Sequence, residues 1–175
     1  VNPVCFREPL APWTAAQRAG VRIRLDVVLR AFRALRARHD VLIVEGVGGL
    51  LVPLGPRLSV ADLARRFALP LVIVARPGLG TLNHTLLTLA YARQRGLRPI
   101  GIVLNHATPP PHDAMARVAA VTNRRVLRRF SGVPVLGPLP FLRGAIVPPP
   151  AASPRATLGH RPRAAAMRRL PQVVG

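Results

Sequence analysis

Four short apolar runs, spaced by stretches of helical periodicity, constrain this chain more than any other feature. They are Val41–Val44, Leu71–Ala75, Pro99–Leu104 and Val133–Gly137, the third ending in Asn105. Runs without polar alternation, rich in β-branched residues, suit strands buried on both faces. Between them, helices are expected over Val60–Phe67 with Ser59 as N-cap, over Leu82–Arg95 with Gly96 at C′, and over His112–Phe130. Upstream, Val28, Leu29, Phe32 and Leu35 recur at spacings of three and four, so a helix is expected from about Leu25. Residues 1–20 carry Pro3, Pro9 and Pro12 and read as irregular. Strands alternating with helices predict βαβ units: an α/β fold with a parallel sheet and helices on both faces. Ligands of such sheets bind at the carboxyl ends of the strands. The segments that follow the strands are Glu45–Gly49, Arg76–Asn83, Asn105–His106 and Pro140–Leu142, so all four are expected on one rim.

The length of 175 residues bounds the chain at one domain with a tail. Residues 143–175 hold six Arg, six Pro and no acidic residue, and are expected to be a disordered basic tail beyond a domain of residues 1–142. All 26 basic residues are Arg. Chemistry that needs a lysine, such as a Schiff base or a phosphate-loop lysine, is therefore excluded within this chain. One Cys excludes an internal disulfide framework and a cysteine zinc cage. The formal net charge of +20 invites a nucleic-acid-binding reading. The arginines are spread along the chain, however, and only seven aromatics are available to stack on bases. A composition dominated by Ala, Arg, Pro, Gly, Leu and Val accounts for the charge, so nucleic acid is not the expected partner. The N-terminus lacks a cationic, then apolar, leader, and no apolar run nears the roughly 18 residues of a membrane span. A cytoplasmic protein with no membrane contact is expected.

Only Glu8, Asp26, Asp40, Glu45, Asp62 and Asp113 could serve as carboxylates. Glu45 directly follows a predicted strand, where it can meet a hard cation such as Mg²⁺. Gly46, Gly48 and Gly49 let backbone amides approach phosphate, although E-G-x-G-G also serves as a plain strand-to-helix turn. Asn105 ends a strand and offers a donor and an acceptor suited to an adenine edge, or simply forms a turn. Gly80-Thr81-Leu82-Asn83 opens a helix, whose free amides make an anion site or an ordinary helix start. His84 reads as a polar residue of that first turn. His39, His106, His112 and His160 have no zinc spacing, Cys5 has no evident catalytic partner, and no G-x-S-x-G elbow occurs.

Taken together, these segments resemble one family. Val44-Glu45-Gly46-Val47-Gly48-Gly49, running on to Pro53-Leu54, resembles the V-E-G-A-G-G-x-x-x-P-L stretch of dethiobiotin synthetase, the ATP-dependent ring-closing enzyme of biotin synthesis. Asn2-Pro3 and Glu8-Pro9-Leu10-Ala11-Pro12 resemble its N-P and E-P-x-x-P segments. Leu79–Thr88 is similar to its L-G-x-I-N-H-x-x-L-T segment, and Gly101–Asn105 and Gly137–Leu142 to its last two strand ends. The resemblance covers residues 1 to about 142 in order.

The resemblance implies a P-loop NTPase-like fold and a homodimer. It implies ATP as co-substrate, Mg²⁺ as cofactor, and 7,8-diaminononanoate and CO₂ as substrates. Glu45 would be the Mg²⁺ ligand. Glu45, Gly46, Val47 and Gly48 would line the phosphates. Asn105 would read adenine, with His106, Pro140, Phe141 and Leu142 around the nucleotide. Gly80, Thr81, Leu82 and Asn83 would bind the substrate carboxylate across the dimer interface.

The chain also departs from the family pattern. It has no Gly-Lys-Thr phosphate loop, no lysine and no second Mg²⁺-binding aspartate. It is thus expected to correspond to the C-terminal two-thirds of the enzyme and to be inactive alone. Val47 stands for the usual Ala and Trp13 where His is common. The tail does not resemble the family's last helix, as a reading-frame change near residue 143 would produce. A cobyrinate amidating enzyme or a partitioning ATPase of the same superfamily, and a basic nucleic-acid-binding protein, are the competing readings.

Overall fold

The computed structural model describes residues 1–109 and 113–143. In chain order these form α1 (Pro12–Arg18), α2 (Leu25–Arg36), β1 (Pro53–Gly55), β2 (Leu58–Ser59), α3 (Val60–Phe67), β3 (Leu71–Ala75), α4 (Thr81–Gln94), β4 (Pro99–Asn105), α5 (Ala114–Phe130) and β5 (Val135–Leu139). None of these helices is long and apolar enough to cross a membrane.

Strands β3, β4 and β5 form a parallel sheet in that order, joined by α4 and α5. Ile73 pairs with Ile102, and Ile102 with Val135, so these side chains share one face. Leu89 of α4 and Leu127 of α5 close over that face, with Leu104 completing the buried cluster. Each such side chain, removed from water, stabilises the fold by about 1.5–3 kcal/mol. Ala15, Ala16, Phe32, Leu54, Val60, Ala61 and Phe67, from the elements before the sheet, are also buried. The Phe32 and Phe67 rings lie 4.4 Å apart between centroids. The antiparallel β1–β2 hairpin belongs to this region.

The α/β class and the parallel sheet agree with the sequence reading, with several differences. First, Val41–Val44 forms no strand. Val41 and Ile43 are 78% and 88% exposed. A central strand needs ladder partners on both sides, and among the described residues β3 pairs with β4 alone. Second, among the described residues the helices that pack on the sheet, α4 and α5, lie on one face. On the other, Val72, Val74 and Leu136 remain exposed. Third, the Pro-rich start contains α1, whose Pro12 sits at a position where its missing N–H costs nothing. The last strand begins at Val135, two residues later than Val133. The α5 helix begins at Ala114, capped by Asp113 accepting from the amides of Met115 and Ala116. His112, and all of the expected tail except Arg143, lie outside the described residues.

Candidate nucleotide and anion site

Three of the four candidate segments leave the carboxyl ends of adjacent parallel strands. Asn105, the last residue of β4, pairs in register with Leu139, the last residue of β5. The His106 amide then donates to the Leu139 carbonyl at 3.1 Å. This brings Asn105 and His106 beside the start of Pro140–Leu142. Asn105, His106 and Phe141 are half-buried, while Pro140 and Leu142 are exposed. The close approach depends on Gly137, whose φ is +85°. A Cβ there would lie 2.4 Å from the Leu104 carbonyl oxygen.

The third segment is the loop from β3 into α4. Gly80 is the N-cap residue, with φ +86°. The Thr81 amide donates to the Gly78 carbonyl at 3.3 Å and the His84 amide to the Gly80 carbonyl at 3.1 Å. The amides of Leu82 and Asn83 carry no hydrogen bond among the described residues. Thr81 is buried, its hydroxyl 3.2 Å from that of Thr85, and Leu82 packs against the core. Their side chains therefore hold the helix down, while Asn83 and His84 are exposed. Two free amides at the positive end of a 14-residue helix suit a carboxylate or phosphate.

A residue the sequence reading missed fixes this loop. Nδ2 of Asn123, on α5, donates to the carbonyls of Pro77 at 3.0 Å and Gly78 at 3.1 Å. Its signal was present: Asn123 lies on the same face as buried Ala120 and Leu127, a polar residue where an apolar one is expected.

The Glu45–Gly49 turn does not follow a strand, because residues 41–44 are not one. Of the four segments, it alone is not set on the rim by a ladder. Glu45, Gly46, Val47 and Gly48 are all exposed. The chain just beyond is anchored to α3: the Val52 amide donates to Gly49, that of Ala61 to Leu50 and that of Val60 to Val52, at 2.9–3.0 Å. Glu45 makes no ion pair among the described residues. An unpaired carboxylate beside glycine amides fits the donor chemistry of Mg²⁺, a hard cation that takes few carboxylates and completes its shell with phosphate oxygens and water. Among the described residues no group of three or more His, Cys, Asp or Glu could hold a metal unaided.

An AAA domain family model matches residues 1–147. An ATP-dependent dethiobiotin synthetase of Bacillus licheniformis is 46% identical over 145 residues, covering 83% of this chain and 60% of the relative. One from Bacillus subtilis is 39% identical, covering 81% and 59%. One from Aromatoleum aromaticum is 43% identical, covering 83% and 62%. The chain thus spans about 60% of the length of these curated relatives. Together with the parallel α/β sheet, these matches imply a P-loop NTPase-like fold. By the match over residues 1–147, the chain belongs to the AAA domain family of that model, and within it the chain is similar to dethiobiotin synthetases.

Proposed function

We propose that this chain forms the adenine-reading and substrate-anchoring part of a cytoplasmic, homodimeric dethiobiotin synthetase. The reaction is ATP-dependent closure of a ureido ring from 7,8-diaminononanoate and CO₂. The observation that carries this reading is the shared rim: Asn105 and His106 meet the Leu139–Leu142 segment beside a helix start with two unpartnered amides.

An amine captures CO₂ as a carbamate, the carbamate oxygen takes the γ-phosphoryl group of ATP, and the second amine attacks the carbamoyl carbon and expels phosphate. In this reading Asn105 orients adenine through its amide, and Pro140, Phe141 and Leu142 flank the base. The amides at Gly80–Asn83 hold the substrate's carboxylate, so its diamine end is presented to the nucleotide. Gly46–Gly48 offer amides to the phosphates, and Glu45 would hold Mg²⁺. When bound, Mg²⁺ supplies charge neutralisation at the phosphates. Catalysis of this kind is mostly positioning and charge stabilisation.

This chain has no lysine, so the phosphate-loop lysine must come from a further segment. The test is therefore an assembled enzyme, in which the phosphate-loop segment of a family member precedes residue 1. Dethiobiotin, followed by mass spectrometry, is expected from the assembled enzyme and not from the 175-residue chain. A folded assembled enzyme that hydrolyses ATP without making dethiobiotin would point to an amidating or partitioning ATPase of the same superfamily. A steep salt dependence in filter binding to DNA would point instead to nucleic acid.

A further inference from the structure

We infer that Asn123 is a positioning residue for the anion site: its amide clamps the Pro77–Gly78 carbonyls and so sets where the free amides of α4 point. This rests on the reading that Gly80–Asn83 hold the substrate carboxylate. Asn123 stands 40 or more positions from the loop it holds, on a different helix, so the contact is tertiary. One side-chain nitrogen spends both its hydrogens on consecutive carbonyls. The Gly78 carbonyl also accepts from the Thr81 amide at 3.3 Å, so the clamp connects directly to the first turn of α4.

The loop has little else to hold it. Leu79 is 99% exposed, and Gly78 and Gly80 carry no side chains. Pro77, by contrast, is buried, and its fixed φ limits how the loop can relax around the clamp. The α5 face that carries Asn123 is seated by Ala120 and Leu127, so the donor itself is rigidly placed. A bidentate donor on a packed helix, aimed at a glycine-rich loop, therefore fixes the geometry of amides that no side chain of the loop could fix.

The experiment uses the assembled enzyme. Asn123→Ala removes the donor. Asn123→Asp keeps the shape and turns an oxygen toward the two carbonyls. Asn123→Gln restores the amide on a longer stem. The loss of one neutral hydrogen-bonding group predicts a rise of about fivefold in KM for the diamino acid with Ala, and a larger one with Asp. Gln should recover part of it. KM for ATP should move less than about twofold, because the residues proposed to contact adenine lie at and beyond the ends of β4 and β5. Backbone hydrogen exchange at residues 79–84 should quicken in the Ala and Asp variants without substrate.

Asp behaving as wild type in both readouts overturns the inference. So does faster exchange with KM unchanged, when Gly80→Val still raises that KM. In that case the carboxylate reading stands and Asn123 is merely structural. If Gly80→Val also leaves the diamino-acid KM unchanged, the carboxylate reading has failed and the role of Asn123 falls with it.

Discussion

Arg95, the C-cap residue of α4, donates from Nη2 to Oδ1 of Asp62, the third residue of α3. The other Asp62 oxygen accepts from the Ser59 amide at 2.8 Å and the Ser59 hydroxyl at 2.7 Å. Ser59 in turn accepts from the Asp62 amide, closing a capping box. One carboxylate thus starts α3 and joins it to the end of α4.

The first prediction concerns pH. Hydrogen bonds from the Ser59 side chain, then its backbone, with Arg95 adding, hold the Asp62 carboxyl below its usual range. A carboxyl lowered in the folded state contributes stability that is fully present above its unfolded value, about 3.9. That contribution is lost as pH falls through the folded value. Asp26 on α2, lowered to about 2 mainly by Arg24, acts in the same window. The stability difference between wild type and Asp62→Asn isolates the cap. In urea unfolding it should be constant above about pH 5 and shrink below about pH 4. A difference independent of pH would show that the carboxylate charge contributes nothing.

Glu45 supplies the second prediction. In the assembled enzyme, Glu45→Gln keeps the side chain's shape and removes the charge that a hard cation requires. Because Glu45 is exposed and makes no ion pair among the described residues, the fold should not notice. The Mg²⁺ concentration for half-maximal activity should rise at least about tenfold, with the thermal midpoint unchanged. An unaltered Mg²⁺ titration would assign the carboxylate to the turn alone.

Gly80 supplies the third. Valine at a φ of +86° is strained, and its Cβ would stand 3.4 Å from Cε1 of His84. Both effects disturb the amides of Leu82 and Asn83. KM for the diamino acid should rise at least about tenfold while that for ATP moves little, in line with about 1.5–3 kcal/mol for one charge-assisted contact. Equal rises would indicate a general loss of structure, and a rise for ATP alone would reverse the assignment.

What the sequence made legible was whatever is encoded locally. Leu71–Ala75 and Pro99–Leu104 carry their strands in an unbroken apolar run, and Ser59 and Gly96 mark helix ends through caps. Val41–Val44 carries the same signal and fails, because a buried strand is a property of its neighbours as much as of its residues. Among the described residues β3 is paired along one edge only, and the exposed Val72 and Val74 lie on the sheet face opposite the helices. The Asn105 and Gly80 segments were read from glycine and strand-end patterns. For Asn123 the sequence shows a polar residue on the buried face of α5 but not its partners, which lie about 45 positions away and come within reach only in the tertiary fold.

The last prediction tests the approach of β5 to β4. At Gly137 the backbone turns with φ +85°, and an added Cβ would meet the Leu104 carbonyl oxygen at 2.4 Å and the Leu139 nitrogen at 2.8 Å. Neither is the end of a flexible side chain, so the strands themselves must part. Gly137→Ala should therefore destabilise the fold by about 2 kcal/mol or more, from left-handed strain and the clash together. It should also pull Leu139 out of register with Asn105, raising KM for ATP in the assembled enzyme more than KM for the diamino acid. Gly101 in β4 is the control. Its φ is not positive, and its added Cβ would sit 3.5 Å from the Pro134 carbonyl oxygen, an ordinary contact. Gly101→Ala should leave both constants within about twofold and stability within about 0.5 kcal/mol. If Gly101→Ala proved as damaging as Gly137→Ala, general crowding of the sheet would explain the loss, and the specific role of Gly137 in bringing Asn105 to Leu139 would be lost with it.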